Sequence, residues 1–275
     1  MKIGIIGAGS WGLALSRRLA MNDREVKVWV YEGEEYKELT QTHTSHDFAA
    51  DIQLPDSIEY TQDLLNLRDY KRVVLAVPSH AMRMVASQLQ ELRYQPELIV
   101  NVAKGIENDT FMRMSEVILD EMMDLNPSQI VTLSGPTHAE EVSRDMPSAI
   151  VAASESAETA REVQSIFMDR TFRVYTNDDI IGAELGGSVK NVIAIAAGIL
   201  DGLDLGDNPK AALMTRGSTE ITRLGLAVGA KRETFSGLTG IGDLIVTCLS
   251  QHSRNRHVGE QLGKGKTLDD ILGEM

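Results

Sequence analysis

Lys190 is the only charged side chain between Leu185 and Leu200. On a helix its neighbours at three, four and seven positions are Gly186, Gly187, Ile193, Ala194 and Ala197. A lysine on such a face projects into a buried or cleft-lining space, with small residues leaving room for something else. Desolvation would make its amine usable as a general base. The competing reading is a lysine that snorkels at an interface. Asp243 is a second lone charge, the only acid or base between Thr234 and Arg254 apart from His252. It closes the glycine-rich run Gly237-Leu238-Thr239-Gly240-Ile241-Gly242-Asp243 ahead of an apolar stretch. It reads either as a helix N-cap or as a carboxylate that bonds substrate hydroxyls or orients Lys190. Ser253-Arg254-Asn255-Arg256 follows, and two arginines with Ser and Asn suit a phosphate. A basic helix start on the surface would look the same.

The N-terminal run Gly7-Ala8-Gly9-Ser10-Trp11-Gly12 has the spacing G-x-G-x-x-G. It follows an apolar strand and opens an amphipathic helix, the context that a dinucleotide fingerprint requires. Gly7 permits the tight turn, Gly9 the approach of a pyrophosphate to the backbone, and Gly12 close packing of helix on strand. The pyrophosphate would sit at the helix N-terminus, among free N–H groups. An acid about 20 residues on usually holds the adenosine ribose. Glu32 stands at that distance, although Glu34 and Glu35 follow at once and a solvated loop charge is the equal alternative. Lys104, in Ala103-Lys104-Gly105, lies just past a strand end, where ligands of doubly wound folds bind. Ser134-Gly135-Pro136-Thr137 also follows a strand, and Thr137 with Glu140 spells a capping box. Val77-Pro78-Ser79-His80 has the same strand–turn–helix form.

These residues need a frame, and the chain's periodicity supplies one. Apolar runs at Lys2–Ile6, Val26–Val30, Arg72–Val77, Leu98–Val102, Gln129–Leu133, Ala149–Ala153 and Phe172–Tyr175 alternate with helical patterns at Ser10–Met21, His80–Leu92, Phe111–Met123 and Ala157–Phe167. Such alternation predicts an α/β fold with a parallel, doubly wound Rossmann-type sheet. Beyond Asp178 no strand pattern is evident. Two long helices, near Ile180–Leu203 and Pro209–Val228, are expected in an all-helical second domain. The predicted division is 1–177 for dinucleotide binding and 178–275 for substrate and catalysis.

Composition narrows the function classes. The 275 residues carry a formal net charge of -13, which disfavours nucleic acid and anionic membrane surfaces as partners. An anionic substrate would need a locally basic site. The single cysteine, Cys248, allows no intrachain disulfide and, amid Ile245-Val246-Thr247, reads as core. His43 and His46 lack the spacing and companions of a metal site. The first strand begins at Lys2, leaving no room for a leader, and the longest apolar stretch, around Val192–Leu200, is too short to span a membrane. A cytoplasmic protein is expected.

Taken together, the motifs resemble those of bacterial-type glycerol-3-phosphate dehydrogenase [NAD(P)+]. The stretches that carry the resemblance are GAGSWG at 7–12, AVPSHAMR at 76–83, AKG at 103–105, SGPTHAEEV at 134–142, GAELGGSVKNVIAIAAGILDGL at 182–203, TRG at 215–217, TFSGLTGIGDLIVTC at 234–248 and SRNR at 253–256. They run in order along nearly the whole chain. The resemblance implies hydride transfer between C2 of glycerol 3-phosphate and a nicotinamide, with Lys190 as general base. It also implies a supply of glycerol 3-phosphate for phospholipid synthesis, and a homodimer is possible. Lys104, Gly135, Thr137, Asp243, Ser253, Arg254 and Asn255 would surround the substrate, with Lys190, Lys104 and Asp243 the catalytic set. Ser10, Trp11, Lys104, Ala139 and Arg254 would join Gly7, Gly9, Gly12 and Glu32 at the cofactor, NAD or NADP.

The chain departs from the family pattern in three places. Phe48-Ala49-Ala50 stands where a Tyr-Leu-Pro segment is common. Tyr31-Glu32 follows the second strand where an arginine or histidine is frequent, so NAD is expected over NADP. The chain stops at Met275, ahead of a C-terminal segment that family members normally have, and a less complete cofactor enclosure is expected. Two other readings compete. A related dehydrogenase of 3-hydroxy or sugar acids would share the dinucleotide half and a catalytic lysine, but not the 182–203 block or the Ser253–Arg256 cluster. A non-catalytic dinucleotide sensor would lack the lone lysine.

Overall fold

A computed structural model describes residues 1–46, 48 and 52–274. Ala49 and Ala50 of the departing segment, and the stop at Met275, lie outside the described residues. The chain divides into two compact units, Met1–Ile180 and Ile181–Met275.

The first unit is built on one eight-stranded sheet: β1 (Lys2–Ile6), β2 (Glu25–Trp29), β3 (Glu59–Thr61), β4 (Arg72–Leu75), β5 (Leu98–Asn101), β6 (Ile130–Ser134), β7 (Ser148–Ala153) and β8 (Phe172–Asn177). Its order is β3-β2-β1-β4-β5-β6-β7-β8, so the chain reverses its direction of travel across the sheet between β1 and β4. Ligands of open α/β sheets bind outside the carboxyl ends of strands at such a switch point. The helices are α1 (Ser10–Met21), α2 (Gly33–Thr42), α3 (Met82–Glu91), α4 (Met114–Glu121), α5 (Ala139–Ser143) and α6 (Ala157–Phe167). Central strands are apolar on both faces, as a sheet covered on both sides requires. Ile3, Ile5, Val26, Val28, Val74, Val100 and Val131 pack with Leu13, Leu15 and Leu19 of α1 in one cluster.

The sheet is mainly parallel as predicted, with one strand that was not predicted and one pairing that runs antiparallel. β3 pairs Lys27↔Glu59, Val28↔Tyr60 and Trp29↔Thr61 at the edge, a strand that the apolar pattern did not announce. β7 runs antiparallel to β6, through Thr132↔Ala153, Leu133↔Ala152 and Ser134↔Val151, and β8 runs parallel to β7. The connection explains the reversal. β6 has five residues, about 17 Å of strand. The only helix in the connection, α5, also has five, about 8 Å of rise. A helix that short cannot carry the chain back to the amino edge, so β7 starts from the edge where β6 ended.

The second unit is helical: α7 (Ile180–Gly202, entered one residue early), α8 (Asp207–Ala227), α9 (Arg232–Phe235), α10 (Asp243–Leu249), α11 (Arg254–Gly263) and α12 (Leu268–Gly273). A single π-type turn, Leu238–Gly242, leads into α10. Among the described residues no strand follows Asn177. Helix α7 corrects the expectation from apolar run length: it has 23 residues and contains a stretch of mean hydropathy 1.4, and so is long and apolar enough to cross a membrane. Its contacts are those of a core helix. Gly186 lies against the Thr239 carbonyl, Gly198 against that of Arg256 and Gly202 against that of Glu260, leaving no space for a Cβ. The charges of α7 are also drawn inward, with Glu184 and Lys190 both buried.

Candidate active site

On the first unit, the strand order aligns the predicted residues along the carboxyl edge of β1, β4, β5 and β6. Gly7 ends β1 at φ +114°, a left-handed conformation, and a Cβ there would lie 2.6 Å from the Ala76 carbonyl oxygen. Gly12 is sealed in the same way, its absent Cβ 2.2 Å from the Gly7 carbonyl oxygen. Gly9 is different. It is the exposed N-cap of α1, no side chain caps it, and a Cβ would meet nothing within 4 Å. Two glycines close the strand–helix turn and the third leaves its backbone open at a helix N-terminus, the cradle that a pyrophosphate fits. Ser10, Trp11 and Gly12 form the first turn of α1. Glu32 sits exposed at the N-cap of α2, beyond the end of β2.

Parallel pairing of β5 and β6 brings the next group together. Lys104 Nζ donates to the Gly135 carbonyl at 3.2 Å. The Thr137 N–H donates to the same carbonyl at 2.9 Å, and Thr137 Oγ1 at 3.4 Å. Buried Asn101 organises the loop before Lys104: its Oδ1 accepts from the Ala103 N–H at 3.0 Å and its Nδ2 donates to Thr132 Oγ1 at 3.4 Å. The expected capping box at Thr137 and Glu140 is not formed. α5 begins at Ala139, its N-cap is His138, and Thr137 turns back on Gly135 instead. The hydroxyl thus serves the loop that holds Lys104 and Gly135, not the helix.

In the second unit, Lys190 lies on α7 with its side chain 6 % exposed, and Asp243 on α10 with 1 %. Lys190 Nζ donates to Asp243 Oδ1 and, at 2.6 Å, to Thr247 Oγ1. The Thr247 hydroxyl donates in turn to the Asp243 carbonyl at 2.6 Å. Of the two readings of Asp243, the N-cap is excluded, because Gly242 holds that position and Asp243 is already helical. Thr247 was not among the predicted residues. Its signal was the spacing Asp243-x-x-x-Thr247, which places both side chains on one face of a helix. An ammonium out of water requires a carboxylate and further acceptors, and this cluster provides both. Beside it, burial pushes the Cys248 thiol up to about 11, the nearby lysines offsetting only part of that, so the group stays protonated and serves as core.

Ser253 is buried and caps α11, its Oγ accepting from the Arg256 N–H at 3.2 Å. Arg254 is the exposed first residue of α11 and Asn255 the half-exposed second. Arg256, two positions from Arg254, points elsewhere, to Asp201.

Comparison with known proteins places the chain. The profile of the NAD-dependent glycerol-3-phosphate dehydrogenase N-terminus covers residues 2–160, and that of the C-terminus of the same enzyme residues 179–275. Glycerol-3-phosphate dehydrogenase [NAD(P)+] of Chlorobium luteolum is 50% identical over 276 residues, spanning 100% of this chain and 83% of the relative. That of Listeria monocytogenes is 50% identical over 275 residues, with 100% and 81% covered. The crystal structure of glycerol-3-phosphate dehydrogenase from Coxiella burnetii superposes with a TM-score of 0.94 at 37% identity, covering 99% of this chain and 83% of that one. With both halves of the enzyme matched in order and half the residues identical, the chain belongs to the NAD-dependent glycerol-3-phosphate dehydrogenase family.

Proposed function

We propose that the chain interconverts sn-glycerol 3-phosphate and dihydroxyacetone phosphate with NAD(H) or NADP(H), Lys190 moving the proton at the C2 oxygen. The observation that carries the assignment of Lys190 is its buried cluster with Asp243 and Thr247. When bound, the nicotinamide supplies or accepts the hydride at C2. The lysine's part follows from its setting. An ammonium held beside a carboxylate is an acid placed to protonate the oxygen that hydride addition leaves anionic, and the reverse transfer serves oxidation. Asp243 and Thr247 fix the direction in which Nζ points, so the proton is delivered from one position.

The remaining roles are assigned on the resemblance and on chemistry. Gly7, Gly9, Ser10, Trp11 and Gly12 take the pyrophosphate, with Ala139 and Arg254 completing the cofactor contacts. Lys104, Gly135, Thr137, Ser253, Arg254 and Asn255 are the substrate-binding residues that the resemblance implies. The guanidinium of Arg254 at the start of a capped helix suits the phosphate, because fork and helix N–H groups both favour an anion. Glu32, exposed beyond β2, favours a ribose hydroxyl over a 2′-phosphate, and NAD is therefore the preferred cofactor. A cytoplasmic location suits a substrate destined for lipid synthesis.

The test is NADH oxidation with dihydroxyacetone phosphate, set beside NADPH and beside a 3-oxo acid. Turnover should be seen with dihydroxyacetone phosphate, with NADH used more efficiently than NADPH. Turnover with the 3-oxo acid alone would move the chain to the related hydroxy-acid dehydrogenases. Equal efficiency with the two cofactors would remove the role given to Glu32.

A further inference from the structure

Asp201, near the end of α7, has no part in the chemistry described above. Its side chain is 17 % exposed and receives two cations. Arg256 of α11 approaches it with Nε at 2.8 Å and a terminal nitrogen at 2.6 Å, a two-point contact, and Lys210 of α8 forms an ion pair with the other oxygen. Burial pushes the Asp201 carboxyl up, but the hydrogen bonds and charges of Lys210 and Arg256 outweigh it and hold the group below its ordinary range. The same pair of helices is in backbone contact. On α7, Gly198 and Gly202 are four residues apart, as are Gly259 and Gly263 on α11. A Cβ on Gly198 would lie 2.0 Å from the Arg256 carbonyl oxygen, and one on Gly259 2.0 Å from that of Ile195. Gly202 and Gly263 are equally tight, at 2.2 Å from the Glu260 and 2.5 Å from the Ile199 carbonyl oxygens. The crossing is therefore close across the backbone, and the Asp201–Arg256 pair is a side-chain contact that ties α11 to α7 beside it.

α7 carries Lys190 and α11 begins with Arg254. We propose that Asp201 is a positioning residue: by gripping Arg256 it fixes the start of α11, and with it Arg254, at a set distance from Lys190, so that a substrate whose phosphate and C2 oxygen match that distance is favoured. Residues at i and i+2 of a helix face apart, which lets Arg256 face α7 while Arg254 is left for the ligand. The proposal rests on the phosphate role of Arg254 given above.

Arg256→Gln is the first variant to make, because it leaves Asp201 paired with Lys210 and strands no buried carboxylate. Asp201→Asn and the double variant complete a cycle, with Arg254→Ala beside them. Each is melted to establish that it is folded, then assayed with NADH on dihydroxyacetone phosphate and on dihydroxyacetone, which has no phosphate to be placed. Misplacement of a reacting group by about 1 Å can cost up to about 100-fold. The expected result for Arg256→Gln is therefore a loss of about tenfold or more in kcat/KM for the phosphorylated substrate, with less than about a twofold change for dihydroxyacetone. The double variant should lose no more than the worse single one, as residues acting through one contact do. Equal losses on the two substrates, or none on either, overturn the positioning role. Arg254→Ala separates the two levels. If it lowers the preference for phosphate and Arg256→Gln does not, the role of Asp201 alone fails. If Arg254→Ala leaves the preference intact, the phosphate reading fails first.

Discussion

Lys190, Asp243 and Thr247 form a unit whose members depend on one another for different reasons. Removing one partner of a buried ion pair strands the other charge, at a cost of about 3–5 kcal/mol. Lys190→Met and Asp243→Leu should therefore each lower the melting temperature severely, whereas the double variant, which buries two apolar side chains, should recover most of it. On the proton-transfer role proposed for Lys190, turnover should not recover, because general acid–base contributions of about 10²–10⁴-fold would be lost with the amine. Melting curves and single-turnover rates on the three proteins check this, and near-normal turnover in the double variant would end the assignment of Lys190. The burial of Lys190 was legible in the sequence because isolation among small apolar residues is a local pattern. Its partners were less so. Asp243 was visible as a lone charge but with two readings, and Thr247 and Asp201 acquire their meaning from contacts 57 and 55 positions away in the chain. Thr137 was misread because S/T-x-x-E fits a capping box wherever it occurs, while α5 starts two residues later.

At the level of elements, the glycine loop makes the sharpest prediction because its three glycines are not equivalent. Gly9 has room for a methyl group and an ordinary φ of -60°. Gly9→Ala should fold with stability within about 1 kcal/mol of the parent, yet bind NADH at least about tenfold more weakly, since the added carbon occupies the space where a pyrophosphate approaches. Gly12→Ala should instead lose stability, since its Cβ would lie 2.2 Å from a carbonyl oxygen. Titration calorimetry and thermal melts separate the two, and an NADH affinity unchanged in Gly9→Ala would refute the cradle. The major strands and α1, α6 and α7 were readable because long apolar runs and helical periods are local signals. β3 was not, because Glu59-Tyr60-Thr61 is a three-residue edge strand with no apolar run to mark it. The reversal of β7 was not either. A strand's pattern records which faces are buried and not which way the chain runs, and only the shortness of α5 discloses the direction.

The molecule as a whole is acidic, and several of its carboxylates are held in ion pairs that acid must break. Hydrogen bonds from Arg83, chiefly, bring Glu107 down from 4.5 to about 2. At Asp169 burial acts upward, but the Thr171 N–H, Asn22 and Arg18 outweigh it and leave the carboxyl below its ordinary 3.8, and Asp201 shifts the same way. Each folded-state value lies below the unfolded one. The stability they contribute is therefore complete above the ordinary carboxylate range and lost as the pH falls through the lowered values. The melting temperature should hold down to about pH 5 and then fall steadily towards about pH 2. Arg83→Gln should be less stable than the parent at neutral pH, with the gap closing as acid neutralises Glu107. A gap that stayed constant between neutrality and pH 2 would show that Arg83 acts by packing alone.

The sheet order also bears on how the chain comes to be folded during synthesis. β1 stands in the middle of the sheet, with Ile3 paired to Val26 on one side and to Arg72 on the other. Its first partner is made soon after it, but the second emerges only when β4 does. Through that interval the apolar run Ile3-Gly4-Ile5-Ile6 has one open row of backbone donors and acceptors and no proline to blunt it. A nascent chain that pauses between β2 and β4 therefore presents an unfinished edge able to recruit another chain. Topology, more than overall hydrophobicity, sets the stretch of synthesis in which this acidic, otherwise well-solvated protein is most in need of a chaperone.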